Sequence, residues 1–209
     1  MESVRLMGAA LDLASPAGNN EAALVAELKA GSEEAFVYLL AVYQNPVYNM
    51  ICHLLGDQSE AADVLQNVFL KVLRGIRHFH GNSSLKTWIY RIAVHETSNH
   101  RRSCGRRLVH EPFSVDDESM QPRVYAAAST RERETPYRVY EQEERRREVK
   151  RAVASLAQPY RAAVVLRDIE DFSYEEIAQI LGVAEGTVKS RLRRGRELLK
   201  RKLIVHLSR

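Results

Sequence analysis

The chain has 209 residues, of which 45% are hydrophobic and 28% are charged, and its formal net charge is +4. This composition fits a globular protein of one or two small domains and excludes a disordered polymer. No segment approaches the roughly 18 consecutive apolar residues that a membrane-spanning helix needs, and residues 1–18 carry only a short, weak apolar run. Two cysteines, Cys52 and Cys104, cannot build a disulfide framework. We therefore expect a cytoplasmic protein with no secretion signal and no membrane insertion.

Helical periodicity dominates the chain, because six prolines and ten glycines leave long uninterrupted segments and alternating strand patterns are nearly absent. The predicted fold is all-α, with two small helical domains joined by a long flexible linker. Charge is distributed unevenly, since residues 146–209 hold 15 Lys and Arg against 8 Asp and Glu. A strongly basic C-terminal quarter indicates a polyanionic partner there.

The first domain is predicted over residues 21–102, after an N-terminal extension at residues 1–20. Its first helix should end at Gly31, and the Ser32 hydroxyl should cap the helix that follows. Pro46 is expected to kink or interrupt this second helix, because proline lacks the amide hydrogen and crowds the preceding turn.

Two further helices are predicted in this domain. Asp57 and Ser59 are alternative caps for a third helix, and the fourth helix should run to about Arg102. The third helix has a three-to-four-spaced apolar stripe that we interpret as core: Val64, Leu65, Val68, Phe69, Val72, Leu73 and Ile76. The fourth helix should bury Leu85, Ile89, Ile92 and Ala93.

The linker is predicted over residues 103–140, which show no sustained apolar period and contain three prolines. A connection of this length is too long to be an idle loop inside a compact domain. It is either a tether between domains or a functional arm.

The second domain, residues 141–209, contains a predicted helix-turn-helix. Ser173 and Glu176 form a capping box that starts one helix, Gly182 ends that helix, and the next begins near Glu185. The outward residues of this second helix are hydrogen-bond donors suited to guanine edges or phosphates: Thr187, Lys189, Ser190, Arg191, Arg193 and Arg194. A solvated basic helix that closes a bundle is the alternative interpretation.

Three segments resemble one known family. Residues 166–192, with the capping box and the glycine turn, look like region 4 of the extracytoplasmic-function sigma factors of bacterial RNA polymerase. Residues 63–69 resemble region 2.2, which docks on the clamp helices of the beta-prime subunit. Residues 79–93 resemble the following stretch, which opens and holds the minus-ten promoter element. Among the departures from the family pattern, Asp171 stands where glycine is frequent, Ala157 and Ala184 stand where proline is frequent, and His95 stands in a stretch where asparagine is common.

The resemblance implies a sigma factor that binds core RNA polymerase and directs promoter-specific transcription initiation, without enzymatic activity, cofactor or metal. Region 4 would hold the minus-35 duplex, and region 2 would melt the minus-ten element and capture its non-template strand. The implied partners are the beta-prime clamp helices, the beta flap and promoter DNA, with an anti-sigma factor as a further candidate. The implied minus-ten residues are Asn82, Lys86, Thr87, Trp88, Tyr90, Arg91, His95 and Asn99. The implied polymerase-binding residues are Asp63, Gln66, Asn67, Leu70, Lys71 and Arg74.

Several alternatives stay open at this stage. Trp88 adjoins an apolar face and is equally well interpreted as a core residue, and the polar face around Leu70 could simply be solvated. A stand-alone helix-turn-helix regulator is the main functional alternative, and a structural helical adaptor is another. A zinc site at His100 and Cys104, with His95 nearby, is not favoured because no second ligand pair has matching spacing.

Overall fold

The computed structural model describes residues 18–56, 59–110 and 136–207, and within these ranges the regular structure is helical. The predicted extension up to residue 17, the capping candidate Asp57 and linker residues 111–135 lie outside the described residues. The described helices are α1 (Gly18–Ala30), α2 (Glu33–Leu55), α3 (Ala61–Gly75), α4 (Leu85–His110), α5 (Pro136–Ala154), α6 (Gln158–Val164), α7 (Tyr174–Leu181) and α8 (Glu185–Leu207). We call α1–α4 the front unit and α5–α8 the rear unit. The prediction of an all-α fold with two helical domains is confirmed.

The junction between α1 and α2 follows the local sequence signals. Gly31 takes a left-handed backbone conformation with φ of 86°. The Ser32 hydroxyl then accepts a hydrogen bond from the Ala35 amide at 3.1 Å, which caps α2. Pro46 does not interrupt α2, so that part of the prediction is wrong. Pro46 is exposed while its neighbour Val47 is fully buried, and we infer that packing on the buried face outweighs the lost hydrogen bond.

Helix α3 has a narrower buried face than its sequence suggests. It begins at Ala61 with Glu60 at the N-cap position and no side-chain cap, so Ser59 does not serve as the predicted cap. Leu73 is 48% exposed, although the apolar stripe placed it in the core. The buried positions repeat at four-residue spacing through Val64, Val68 and Val72. Leu73 lies beyond the edge of that stripe, about 100° around the helix from Val72.

Two helices extend into the predicted linker. Helix α4 continues past Arg102 to His110, and α5 begins at Pro136. The added turns at residues 103–110 and 136–140 carry no sustained apolar period, so the sequence pattern did not mark them as helical.

Helix α4 is capped by residues from two places in the chain. The Ser84 hydroxyl accepts from the Thr87 amide at 3.1 Å, and the Glu21 carboxylate on α1 accepts from the Leu85 amide at 2.8 Å. Glu21 therefore ties α1 to the first turn of α4, where a negative charge also favours the helix dipole.

Replacing Glu21 with alanine is expected to lower the free energy of unfolding by about 1 kcal/mol, because the Leu85 amide loses its acceptor. Urea denaturation followed by circular dichroism measures the loss. Glu27→Ala is the matched control, since Glu27 is exposed on the same helix. Equal losses for both variants would contradict the capping role.

The rear unit follows its local signals closely. The Ser173–Glu176 capping box is formed, and Gly182 ends α7 in the left-handed conformation with φ of 64°. Asp171 also adopts a positive φ of 58°, a conformation that aspartate tolerates better than most residues. Gly195 allows close packing of α8, because a Cβ there would lie 2.8 Å from the Cγ2 atom of Val164.

The two units pack against each other over a continuous apolar core. Helix α4 contacts α7, while α2 contacts α5, α6 and the π-helical turn at Val165–Ile169. Arg161 is 4% exposed at this junction, and its guanidinium donates to the carbonyls of Leu54 and Leu55 in the front unit. It also donates to the carbonyls of Ala154 and Leu156 in its own unit. Arg161 thus links the end of α2 to the end of α5.

Candidate DNA and polymerase interfaces

The second helix of the helix-turn-helix is anchored from one side and open on the other. Val188 is fully buried and Leu192 is 2% exposed, which fixes the rotation of α8 about its axis. The predicted minus-35 residues fall on the remaining faces. Lys189, Ser190, Arg193 and Arg194 are exposed, while Thr187 and Arg191 are half-buried. We call the exposed side chains of Lys189, Ser190, Arg193 and Arg194 the basic strip of α8.

Weak contacts hold the side chains of this strip. Lys189 lies 3.7 Å from Glu185, and Arg193 and Arg194 lie 3.8 and 3.5 Å from Glu197. These are exposed ion pairs along one helix, and such pairs are generally worth less than 1 kcal/mol. Phosphate groups can therefore replace the carboxylates at small cost.

Sequence reasoning missed three residues of this surface. Tyr174, Arg196 and Lys200 line one cleft together with Lys189 and Arg193. The four cations stand at spacings of four, three and four residues, a periodicity that could have revealed them from the sequence. Two cations face the Tyr174 ring: Arg167, at 5.3 Å from the ring centre, and Lys189, at 5.9 Å.

Another ion pair connects the middle of α8 to the π-helical turn. The Arg196 guanidinium donates to both carboxylate oxygens of Asp168 in the π-helical turn, with an Nε to Oδ2 distance of 3.1 Å. Hydrogen bonding to Asp168 raises the pKa of Arg196. This two-point contact holds α8 in a fixed position against the π-helical turn.

The predicted minus-ten residues are not equally accessible. Asn82, Lys86, His95 and Asn99 are exposed, Trp88 and Arg91 are half-buried, and Thr87 and Tyr90 are each 1% exposed. The Thr87 hydroxyl accepts a hydrogen bond from the Ser84 hydroxyl at 2.8 Å, within the cap of α4. Trp88 packs on Phe79 with the ring centres 5.2 Å apart. The indole is therefore partly a core group and partly open to solvent.

Three of these residues contact the rear unit. The Tyr90 hydroxyl donates to the Glu170 carboxylate at 2.8 Å, and its ring centre lies 4.7 Å from that of Phe172. The Arg91 Nε donates to the Gln179 carbonyl at 2.9 Å. The Lys86 ammonium lies 4.5 Å from the Phe172 ring centre. Sequence reasoning did not predict these contacts between the front unit and the rear unit.

The predicted polymerase-binding residues form one exposed face of α3. Asp63, Gln66, Asn67, Leu70, Lys71 and Arg74 are all exposed. Leu70 is 41% exposed and lies one helical turn from the exposed Leu73, so the face is more apolar than predicted. The Lys71 ammonium pairs with the Glu96 carboxylate at 2.6 Å, and this ion pair links the exposed face of α3 to α4.

Together, a helix-turn-helix with a basic outer surface and a four-helix unit with an exposed polar and apolar face define a two-module protein of the helix-turn-helix DNA-binding class. Each of the two modules also matches a known protein family. Residues 39–107 match the family described as sigma-70 region 2, and residues 146–199 match sigma-70 region 4.

Curated relatives match over most of their length. The chain is 33% identical to the RNA polymerase sigma-H factor of Pseudomonas aeruginosa over 180 residues, which cover 86% of this chain and 92% of the relative. It is 34% identical to the ECF RNA polymerase sigma-E factor of Escherichia coli K12, with the same coverage. A solved structure of the sigma factor RpoE in complex with the anti-sigma factor NepR from Bartonella quintana has a TM-score of 0.63 and 25% identity, covering 81% of this chain and 97% of that chain.

The chain belongs to the sigma-70 family, in its extracytoplasmic-function group. It is a promoter-directing sigma factor, as its sequence motifs imply. The stand-alone helix-turn-helix regulator is not favoured, because the front unit also matches a sigma-70 region.

Two further features of the described residues bear on other classes of protein and site. Among these residues, none of the helices combines the length and apolar character needed to cross a bilayer. The same part of the chain contains no cluster of three or more His, Cys, Asp or Glu residues placed to hold a metal ion.

Proposed function

We propose that the C-terminal domain, at residues 141–209, binds the minus-35 duplex through α8. The observation that carries this proposal is the solvent-facing basic strip of α8, which Val188 and Leu192 orient from beneath. Lys189, Arg193 and Arg194 are suited to phosphates and guanine edges, and Thr187, Ser190 and Arg191 flank them. Arg196 and Lys200 extend the strip along the phosphate backbone.

The first domain, at residues 21–102, is proposed to capture the minus-ten non-template strand. Asn82, Lys86, Trp88, Arg91, His95 and Asn99 offer accessible groups, and stacking of a base on Trp88 is worth roughly 1–3 kcal/mol. Tyr90 joins this set when its ring is uncovered. Thr87 contributes through the α4 cap, which positions Lys86 and Trp88. Binding energy of this kind supports strand capture without enzymatic chemistry.

Core RNA polymerase is the proposed partner of the exposed α3 face, through the beta-prime clamp helices. The beta flap is the proposed partner of the rear unit, where the apolar side chain of Val149 on α5 is 47% exposed. The solved RpoE relative is bound to an anti-sigma factor. We propose that this chain, acting in the cytoplasm, is also controlled by an anti-sigma factor.

Runoff transcription tests the proposed function. Purified core polymerase, the full chain and a promoter library should give stimulated initiation, and mapping of the start sites should reveal shared minus-ten and minus-35 elements. Absence of stimulated initiation would contradict the proposal. A gel shift with and without core enzyme separates a sigma factor from a stand-alone regulator, which would bind its operator tightly alone.

Replacing Leu70 with aspartate is expected to weaken binding to core polymerase by about tenfold or more, because a charge would be buried in the apolar part of the interface. Competition with the wild-type chain for core enzyme measures the change. Val37→Asp is the control, since Val37 is 59% exposed and lies on α2 instead of α3. Equal losses for both variants would contradict the assignment of α3.

A further inference from the structure

Arg196 is held differently from the other cations in the cleft beside Tyr174. Its Nε and Nη2 atoms donate to the two carboxylate oxygens of Asp168, which lies in the π-helical turn instead of α8. Lys189 and Arg193 have carboxylate neighbours on α8 itself, at 3.7 and 3.8 Å, each through a single nitrogen. A two-point contact between guanidinium and carboxylate is the stronger and more directional arrangement. Arg196 is therefore the least free of these three cations to turn toward a phosphate.

Asp168 also balances a positive charge within the proposed DNA surface. The Arg196 side chain is 50% exposed and lines the cleft beside Tyr174, and the Asp168 side chain is 34% exposed. Affinity for DNA of any sequence grows with the number of cations that neutralise phosphates. Arg196 has to give up its bonds to Asp168 before it contributes fully to that number. The Asp168 carboxylate thus competes with a phosphate for this guanidinium.

Other contacts fix the two elements that this ion pair joins. On α8, Gly195 packs so closely against α6 that a Cβ atom there would lie 2.8 Å from the Cγ2 atom of Val164. In the π-helical turn, Val165 and Leu166 are fully buried, and the Glu170 amide donates to the Val165 carbonyl at 3.1 Å. Ion pairs at a protein surface generally contribute little to stability. We expect α8 and the turn to keep their positions when the pair is removed.

We propose that Asp168 limits the affinity of the rear unit for duplex DNA, because it holds the Arg196 guanidinium away from the phosphate backbone. This inference rests on the proposed binding of duplex DNA by α8. Phosphate contacts position a protein on DNA but carry no sequence information. Withholding one such contact weakens binding to every duplex. Binding by the rear unit alone is thus kept weak, and stable binding at a promoter requires the front unit and core polymerase as well.

Neutralising Asp168 in the full chain tests this role. Asp168→Asn frees Arg196 and should raise the affinity for short fluorescent duplexes of randomised sequence about fivefold near 0.1 M KCl. The slope of log affinity against log salt should become steeper by about 0.9, since one more phosphate is neutralised. Fluorescence anisotropy over a series of KCl concentrations measures both quantities. A purely structural ion pair would instead give a lower melting temperature with no gain in affinity.

Three further variants separate the release of Arg196 from a change in net charge. Asp168→Asn combined with Arg196→Gln removes both partners and should return the affinity to within about twofold of wild type. Arg196→Lys keeps the net charge, but one ammonium group cannot make the two-point contact, so the salt slope should become steeper by a smaller amount than in Asp168→Asn. Glu175→Gln makes the same charge change as Asp168→Asn at an exposed position next to Tyr174, and should raise affinity less than about twofold.

Each outcome supports or overturns the role of Asp168. Equal gains for Asp168→Asn and Glu175→Gln would overturn it, and so would an unchanged salt slope in Asp168→Asn. If the double variant keeps the gain of Asp168→Asn, the carboxylate repels DNA directly and the inference is wrong. If circular dichroism shows that Asp168→Asn does not fold, Arg196→Lys decides, and a wild-type salt slope would contradict the inference.

A separate readout distinguishes this inference from the proposed function. Replacing both Lys189 and Arg193 with alanine should reduce duplex affinity whether or not Asp168 limits it. Absence of that loss would overturn duplex binding by α8. If the loss is present and the Asp168 variants bind like wild type, only the inference about Asp168 is overturned.

Discussion

Replacing both Lys189 and Arg193 with alanine is expected to reduce the affinity of the full chain for duplex DNA by about 10- to 100-fold near 0.1 M salt. Each cation that neutralises a phosphate releases counterions, so the slope of log affinity against log salt should become shallower by about 2. The ion pairs of these residues with Glu185 and Glu197 are exposed and oppose the change only weakly. Fluorescence anisotropy over a series of KCl concentrations measures both quantities.

The matched control removes two positive charges elsewhere in the rear unit. Lys150 and Arg151 are exposed on α5, so Lys150→Ala with Arg151→Ala makes the same change in net charge. This control should lower affinity by less than about threefold and leave the salt slope nearly unchanged, because long-range charge is screened. If the two double variants lose affinity equally, α8 is not the duplex-binding surface.

The second large effect is expected at Arg161. Arg161→Met should lower the free energy of unfolding by about 3 kcal/mol, since four backbone carbonyls at two helix ends lose their donor. For a chain of this size the melting temperature should fall by roughly 6–12 °C. Burial lowers the pKa of Arg161 to about 10, so the side chain still carries its charge at neutral pH.

Thermal unfolding followed by circular dichroism measures this effect. Arg161→Lys should give an intermediate loss, because one ammonium group cannot bond to carbonyls on both sides as the planar guanidinium does. Arg151→Met is the control for loss of a surface arginine and should change the melting temperature little. Equal melting temperatures for Arg161→Met and Arg151→Met would show that the carbonyls at α2 and α5 have other partners.

Much of the fold was predictable because its signals are local. The Ser173–Glu176 box, the Gly182 turn and the Ser32 cap each depend on residues a few positions apart, and all three form as expected. The apolar stripes placed most of the core correctly. Leu73 was an exception, since periodicity marks the direction of a buried face but not its width. Helix α2 continues without interruption through Pro46. There, packing outweighs the local tendency of proline to interrupt a helix.

The candidate DNA site was predictable only in part. The basic residues of α8 stand out in the sequence by charge and spacing. Their continuation at Arg196 and Lys200 follows the same spacing and could have been found. The burial of Tyr90 against the rear unit could not have been predicted, because its partner Glu170 is 80 positions away and a single carboxylate has no periodic signature.

The sequence by itself determined the all-helical class, the helix-turn-helix and the family, since these depend on short-range capping, periodicity and motif order. Only the tertiary structure decided how the two units meet. Arg161 bonds to carbonyls 106 and 107 positions away, and Tyr90 and Arg91 turn toward the rear unit instead of solvent. The physical reason is that backbone carbonyls are available at every helix end. Which of them a buried guanidinium reaches depends on how the helices pack in three dimensions.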